Sequence, residues 1–222
     1  MRNINLRFLA FCSIIFCFGF QNIKTSKKHE AIRVEIKNKN VIVYYNNDST
    51  KQLTFAGADQ TPILLNNNTV IFVRETYGNI DLPKIKRLMK VSIDNLIEET
   101  ITDKKPFKDG IMSTNFILNI DQPTLSPDNN FLYFLTEKYA TSFELVKVDL
   151  KTGRWIDLFD ANTYSLMKCG QFKGLILVGK GEIRDKGRKM YYYLLNEKNE
   201  KLKEFESFES YNLFKTSIQN CL

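Results

Sequence analysis

Thr69-Val70-Ile71-Phe72-Val73-Arg74-Glu75 and Phe131-Leu132-Tyr133-Phe134-Leu135-Thr136-Glu137 are the same stretch written twice, 62 residues apart. Each is a short unbroken run of β-branched, aromatic and aliphatic residues ending in a polar pair, which is how a strand covered on both faces reads. A second strand follows each. Leu88-Met89-Lys90-Val91-Ser92-Ile93-Asp94 repeats as Leu145-Val146-Lys147-Val148-Asp149-Leu150-Lys151 at an offset of 57, so the two copies differ by one loop, in the segment from Tyr77 to Lys86. Further on, Lys147 to Phe159 matches Tyr193 to Phe205 at an offset of 46, with Asn199 standing where Gly153 stands. Glycine and asparagine both tolerate the left-handed backbone that a tight hairpin turn needs.

Outward from these copies the pattern stays the same. Ile32 to Ile36, Val41 to Tyr45 and Leu175 to Val178 are further short apolar runs, separated by Asn, Asp, Lys and Gly clusters that mark turns. An aromatic content of 13%, with 10 Tyr and 17 Phe, favours strands over helices. A period near 50 residues with about four strands per unit predicts an all-β chain of stacked propeller-type blades, because a single twisted sheet leaves apolar surface on both faces until neighbours cover it. Four units are expected near 31–60, 61–104, 105–160 and 161–206. That number lies at the lower limit for propellers, so an incomplete or open ring stands beside a closed one.

The best-preserved unit runs from Pro123 through Ser126-Pro127-Asp128-Asn129-Asn130, the strand Phe131 to Leu135, then Leu145 to Leu150 and Lys151-Thr152-Gly153-Arg154. It resembles the repeat of TolB-like periplasmic propellers, in which a Ser-Pro-Asp turn leads into an inner strand and a Thr-Gly turn closes the outer hairpin. Gln52-Leu53-Thr54 followed by Pro62 resembles the same family's crossing between blades. The likeness covers about Lys51 to Asp160. The second unit carries Asn66, Asn67 and Asn68 in place of Ser-Pro-Asp, and the last lacks the motif. Ser126, Pro127, Asp128 and Gly153 are accordingly read as structural turn residues: Pro127 presets the backbone and Asp128 caps free amides.

The N-terminus is organised differently. Arg2 and Arg7 flank an 11-residue apolar run, Phe8 to Phe18, which fits a secretory signal and is too short for a membrane anchor. Cys17 and Gly19 are small residues at the positions a signal peptidase reads, so cleavage is expected after Gly19. The mature chain would then be periplasmic or secreted, without a transmembrane anchor. The alternative is a lipoprotein modified at Cys17, against which stands the bulky Phe16 before it. Loss of residues 1–19 removes two arginines and no acid, taking the net charge from +7 to +5. Residues 20–30, with Lys24, Lys27 and Lys28, read as a polar arm. The remaining basic excess is spread along the chain, which, with export, argues against nucleic acid.

Chemistry has few footholds. His29 is the only histidine, so a triad or a multi-histidine metal site is not expected, nor is any cofactor. No Gly-x-Ser-x-Gly elbow occurs. Gly179, Lys180, Gly181 and Gly187 lack the Gly-Lys-Ser/Thr ending of a phosphate loop and are read as a hairpin loop. Glu75, Asp81, Glu137, Asp149, Asp157 and Asp160 are the acids available for a paired-carboxylate hydrolase or carbohydrate-active enzyme, the alternative to a non-catalytic binding or assembly module. Tyr77 and Tyr139 occupy corresponding loops and are candidates for an aromatic binding rim. The expected partner is an envelope protein or glycan, with self-association an option for an incomplete ring.

From Ser207 the pattern changes once more. Phe208, Tyr211, Phe214, Ile218 and Cys221 recur every three to four residues, predicting a helix over 207–222 that lies on the last blade. Cys169 opens that blade, so an exported chain is expected to bridge Cys169 to Cys221. Mass spectrometry of the native protein checks the export reading. A mature N-terminus at Phe20 is expected; a lipid on Cys17 would support the alternative, and an intact Met1 would refute both.

Overall fold

The computed structural model describes residues 29–76, 85–101, 119–139, 142–184 and 187–222. Four antiparallel sheets follow one another along the chain, each a meander. The first holds β1 (Ala31–Lys37), β2 (Asn40–Tyr45) and β3 (Thr50–Gln52). The second holds β4 (Asp59–Asn66), β5 (Thr69–Thr76), β6 (Ile85–Ser92) and β7 (Glu98–Thr100). The third holds β8 (Asp121–Leu125), β9 (Phe131–Tyr139), β10 (Ser142–Asp149) and β11 (Trp155–Asp160). The fourth holds β12 (Thr163–Leu166), β13 (Ile176–Arg184), β14 (Gly187–Leu195) and β15 (Lys201–Phe205), and a helix α1 (Phe208–Ser217) follows. These are propeller-type blades in an open arc.

Stacking follows from the doubly apolar strands. Within β5, Val70 and Phe72 join a cluster with Val41, Val43 and Leu53 of blade 1, while Ile71 and Val73 join one with Leu132, Phe134, Val146 and Trp155 of blade 3. β9 does the same one step on: Tyr133 and Leu135 pack with Tyr164, Ile176, Val178 and Tyr193 of blade 4. Period-2 alternation sends neighbouring side chains into different cores, so the strand must be apolar throughout. Each of these side chains contributes about 1.5–3 kcal/mol by burial.

Among the described residues, the element that covers the outer face of blade 4 is α1. Leu177, Leu194 and Phe205 on that face pack with Tyr211 and Ile218. Ser207 caps the helix, its hydroxyl accepting Ser210 N–H while Ser210 Oγ accepts Ser207 N–H, both at 3.2 Å. The Tyr192 and Tyr211 rings stack at 4.0 Å. Tyr192 can lie flat because Gly179 is beneath it: a Cβ there would meet Thr163 Oγ1 at 2.6 Å and the Tyr192 ring at 3.0 Å. Cys169 and Cys221 form a disulfide at a sequence separation of 52, which removes about 4 kcal/mol of denatured-state entropy on the loop-closure account.

Several expectations are corrected. Gly179 and Gly181 are in the middle of β13, not in a hairpin loop; only Gly187 borders the turn. The helix ends at Ser217, with a 3-10 turn at Gln219–Cys221, and Phe208 remains 58% exposed on its edge instead of joining the buried face. Blade 1 has three strands where four were expected. The proposed signal peptide and nearly all of the polar arm lie outside the described residues. Among the described residues, no helix is long and apolar enough to cross a membrane.

The turn that closes each outer hairpin is a shared device. Asp48, Leu96, Gly153 and Asn199 all have φ between 60° and 70° at this point of their blades. Leu96 N–H bonds to Ser92 O at 3.0 Å just as Gly153 N–H bonds to Asp149 O at 2.8 Å. Leucine pays for the left-handed backbone with its Cβ, at roughly 1–2 kcal/mol. Leu96→Asn is therefore expected to raise stability by about 1 kcal/mol in chemical denaturation; an unchanged or lower midpoint would refute strain at this turn.

Candidate functional site

The innermost strands of blades 2 and 3 border a groove, which Lys168 of blade 4 also reaches. A cavity of about 480 Å³ is lined by Ile63 of β4, Pro123, Thr124 and Leu125 of β8, Ser126, Pro127 and Asn129 of the following turn, and Lys168 just beyond β12. Its walls are mostly apolar, with one ammonium, one amide and hydroxyls, the composition of a ligand site. A smaller cavity of about 250 Å³ lies on the other side of the same turn, between Phe131, Tyr133, Leu166, Lys173 and Glu197. Ser126 and Pro127 line both.

Local chemistry fixes this ridge. Ser126 N–H bonds to Phe131 O at 2.9 Å, and Ser126 Oγ accepts Phe131 N–H at 2.9 Å. Asp128 accepts the Ser126 hydroxyl, the Asn130 N–H at 3.1 Å and the Asn130 side-chain amide at 2.7 Å. The Ser126 hydroxyl is the main cause holding the Asp128 carboxyl below its ordinary value, with the Asn130 donors adding to it. Gly153 closes the outer hairpin with φ 70°, at the same end of the blade as the turn over 126–130, where Leu150 N–H bonds to Asn130 O at 3.0 Å. In blade 2 the equivalent inner turn is held by Asn66, whose side chain accepts Asn68 N–H at 2.9 Å.

Two bulges shape the inner strands. Thr61 (φ 43°) precedes Pro62 and Gln122 (φ 52°) precedes Pro123, and the β4–β5 and β8–β9 registers both slip at these points. A proline at the free inner edge sacrifices no ladder bond. Tyr164, on β12, reaches back to the carbonyls of Gln122 and of Tyr133, the latter at 2.8 Å, tying blade 4 to the inner strands of blade 3. Burial pushes the hydroxyls of Tyr164 and Tyr133 well above the usual tyrosine range, so both stay protonated. Nothing in the repeat pattern marked Tyr164, which has no counterpart in the other copies.

The acids weighed for catalysis are spread out and engaged elsewhere. Glu75 accepts the Gln60 amide at 3.1 Å and Glu137 that of Asn119 at 3.4 Å, both near the far ends of their strands from the inner turns. Asp149 accepts Lys151 and Thr152 N–H in its turn. Asp157 is exposed on the outer strand β11. Asp160 shares the Lys180 ammonium, at 3.3 Å, with Glu182 at 3.7 Å, and Glu182 also accepts the Tyr193 hydroxyl at 3.0 Å. Asp81 and Tyr77 lie outside the described residues. Tyr139, expected in a loop, is instead the last residue of β9. Among the described residues, no group of three or more His, Cys, Asp or Glu side chains is placed to hold a metal ion.

A buried ionic cluster was not foreseen. The Asp59 side chain is fully buried; it receives the Thr54 hydroxyl and pairs with Arg74 at 2.6 Å, and Arg74 also contacts Glu98 of β7. Thr54 Oγ1 accepts Val41 N–H at 2.9 Å, so the cluster joins blade 1 to blade 2. Burial works against the Arg74 charge, and the hydrogen bonds it donates to Asp59 and Glu98 outweigh that, raising its pKa above the ordinary arginine value.

No protein-family model matches the chain, and no curated protein matches it. Among solved structures it is similar to the β-propeller domain of the Trilobed protease from Pyrococcus furiosus, at 16% identity over 68% of this chain and 42% of that one, with a TM-score of 0.45. It is also similar to an oligogalacturonate lyase in complex with manganese, at 11% identity over 77% and 44% with a TM-score of 0.49, and to a putative TolB from Agrobacterium tumefaciens, at 11% over 79% and 60% with 0.46. The chain spans less than two thirds of each. The blade assignment itself rests on the sheets and their hydrogen bonds.

Asp128→Ala is expected to lower stability by roughly 0.5–2 kcal/mol at neutral pH, toward the low end because Asp128 is exposed. A carboxyl depressed in the folded state stabilises above its unfolded value, near 3.8, and that stability disappears as pH falls through the folded value. The difference between native and variant protein should thus be constant from about pH 5 to 7 and shrink below about pH 4. Equal melting of the two proteins at pH 7 would refute the structural role.

Proposed function

We propose that the chain is an exported, non-catalytic binding module that holds a partner of the cell envelope, a protein or a glycan, in the groove along the inner strands of blades 2 and 3. The observation that carries this reading is the groove itself: blade 3 supplies most of its lining, with Ile63 of blade 2 and Lys168 of blade 4 at its sides, and the apolar residues Ile63, Pro123, Leu125 and Pro127 alternate with the polar groups of Thr124, Ser126, Asn129 and Lys168. A floor of this kind supplies desolvation, and the scattered donors supply orientation. The engagement of Glu75, Glu137, Asp149 and Asp160 in turns and ion pairs favours binding over paired-carboxylate hydrolysis.

Lys168 is the cation of the groove, and its side chain is exposed, so its charge can be reversed with little effect on folding. The tagged mature protein, recovered from its own envelope, is expected to bring down a partner that Lys168→Glu retains at least about tenfold less well, with unchanged melting. Equal recovery by native and variant protein would remove the groove as the binding site. Release of reducing sugar from envelope glycans by the purified protein would replace binding with catalysis.

A further inference from the structure

Among the described residues, the strand that blade 1 lacks is the innermost one. In blade 2, Ile93 N–H, just past β6, bonds to the carbonyl of Asn68, the residue before β5; in blade 3, Leu150 N–H bonds to Asn130 before β9. In blade 1 the same bond runs from Asn46, just past β2, to Glu30 before β1, at 3.0 Å. The residue after each outer strand tells the same story: Leu53 N–H bonds to Val41 of β2, Ile101 N–H to Leu88 of β6, and Ala161 N–H to Phe143 of β10. Thus β1, β2 and β3 correspond to β5, β6 and β7. Among the described residues, no strand fills beside β1 the position that β4, β8 and β12 fill in the other blades.

The groups facing that slot can be identified. Val41 gives its N–H to Thr54 Oγ1 and its carbonyl to Leu53 N–H, so it exchanges no bond with Ile36, its register partner across β1 and β2. The backbone N–H and C=O of Ile36 therefore point to the free edge, and by period 2 so do those of Val34. On the side facing blade 2, Val34 and Leu64 are only partly buried at the margin of the cluster, and Ile36 is 36% exposed although Val41 beside it is fully buried. On the other face stand Arg33, Glu35 and Lys37, with Arg33 paired to Glu35 at 2.7 Å and the row net positive.

The remaining inner edges are guarded. β4 and β8 carry a bulge and a proline, and β12 is four residues long. β1 has neither device from Val34 to Lys37.

We propose that β1 accepts one strand from another protein, an extended segment that alternates apolar residues, laid against Val34, Ile36 and Leu64, with acidic residues opposite Arg33 and Lys37. The partner's main chain pairs with the amide and carbonyl groups of Val34 and Ile36, and the positive row selects its charge. This edge is separate from the groove of blades 2 to 4 and does not depend on it.

The test uses the full mature chain and an end-capped octapeptide of alternating valine and glutamate. Bound peptide is expected to slow hydrogen exchange of the Val34 and Ile36 amides at least about tenfold. Ile36→Pro removes one edge donor without taking a bond from β2 and should abolish binding, whereas Ile36→Ala should keep it. A valine–lysine octapeptide should not bind. The proposal fails if the valine–glutamate peptide does not bind, if both peptides bind alike, or if Ile36→Pro binds as well as Ile36→Ala. It fails equally if these two amides are already protected in the protein alone: protection lost on deleting residues 20–28 would assign the slot to the chain's own arm, and protection that rises with concentration would assign it to a second copy.

Discussion

The strands β5 and β9 are apolar on both faces, and the arc of blades is the consequence. Phe72 and Ile71 are neighbours in sequence, both essentially fully buried, yet they belong to different cores. Such a strand cannot be satisfied within its own sheet. It forces a sheet on each side, and the requirement passes from blade to blade until something other than a sheet ends it. The two ends are finished by different means. Blade 4 receives α1, clamped by the disulfide, over Leu177, Leu194 and Phe205. On the face of blade 1 away from blade 2, Arg33 lies 4.2 Å over the Tyr44 ring and Ile42 is buried.

That division explains which features were legible in the sequence. Repeats announce whatever every blade must have, so the doubly apolar strands and the left-handed turn residues Gly153 and Asn199 stood out by self-comparison, and both have φ near 70°. The helix was legible because a change of period, from 2 to 3.6, is local. Features that occur once leave no such trace. Arg74 lies inside the quoted repeat, but its counterpart is Thr136, whose hydroxyl is buried without a hydrogen-bond partner, so nothing identified Arg74 as half of a buried pair. Gly179 looked like loop glycine because its reason for being glycine, the Tyr192 ring above it, is 13 residues away in sequence. The three-stranded blade was hidden for a simpler reason: β1 and β2 with the turn at Asn38 and Lys39 form an ordinary hairpin, and only long-range hydrogen bonds show which hairpin of the blade it is.

The groove is also a product of repetition broken in a controlled way. The inner strands β4 and β8 do not run straight. Thr61 and Gln122 adopt positive φ before Pro62 and Pro123, and the strands bulge. Backbone strain of this kind costs of order 1–3 kcal/mol per residue and persists only where the surroundings hold it. Here the holding groups include the Asp59–Arg74 pair beside Thr61 and the Tyr164 hydroxyl on Gln122. The residues that sequence comparison missed are thus the ones that keep the inner edge in shape.

The Asp59 cluster gives this arrangement its sensitivity. A buried ion pair adds little net stability over well-packed apolar residues, because desolvation offsets most of the attraction. Removing one member is different, since it strands the other charge and costs about 3–5 kcal/mol. Asp59 is fully buried, accepts Thr54 from the crossing and Arg74 from β5, and its own N–H is held by Lys39 O of the β1–β2 turn at 3.0 Å. Among the described residues, blade 1 has no strand in the innermost position. The bonds from Lys39, Val41 and Thr54 into this cluster supply a polar substitute for that strand, fixing the register of blade 1 against blade 2 where the apolar cluster alone would permit sliding.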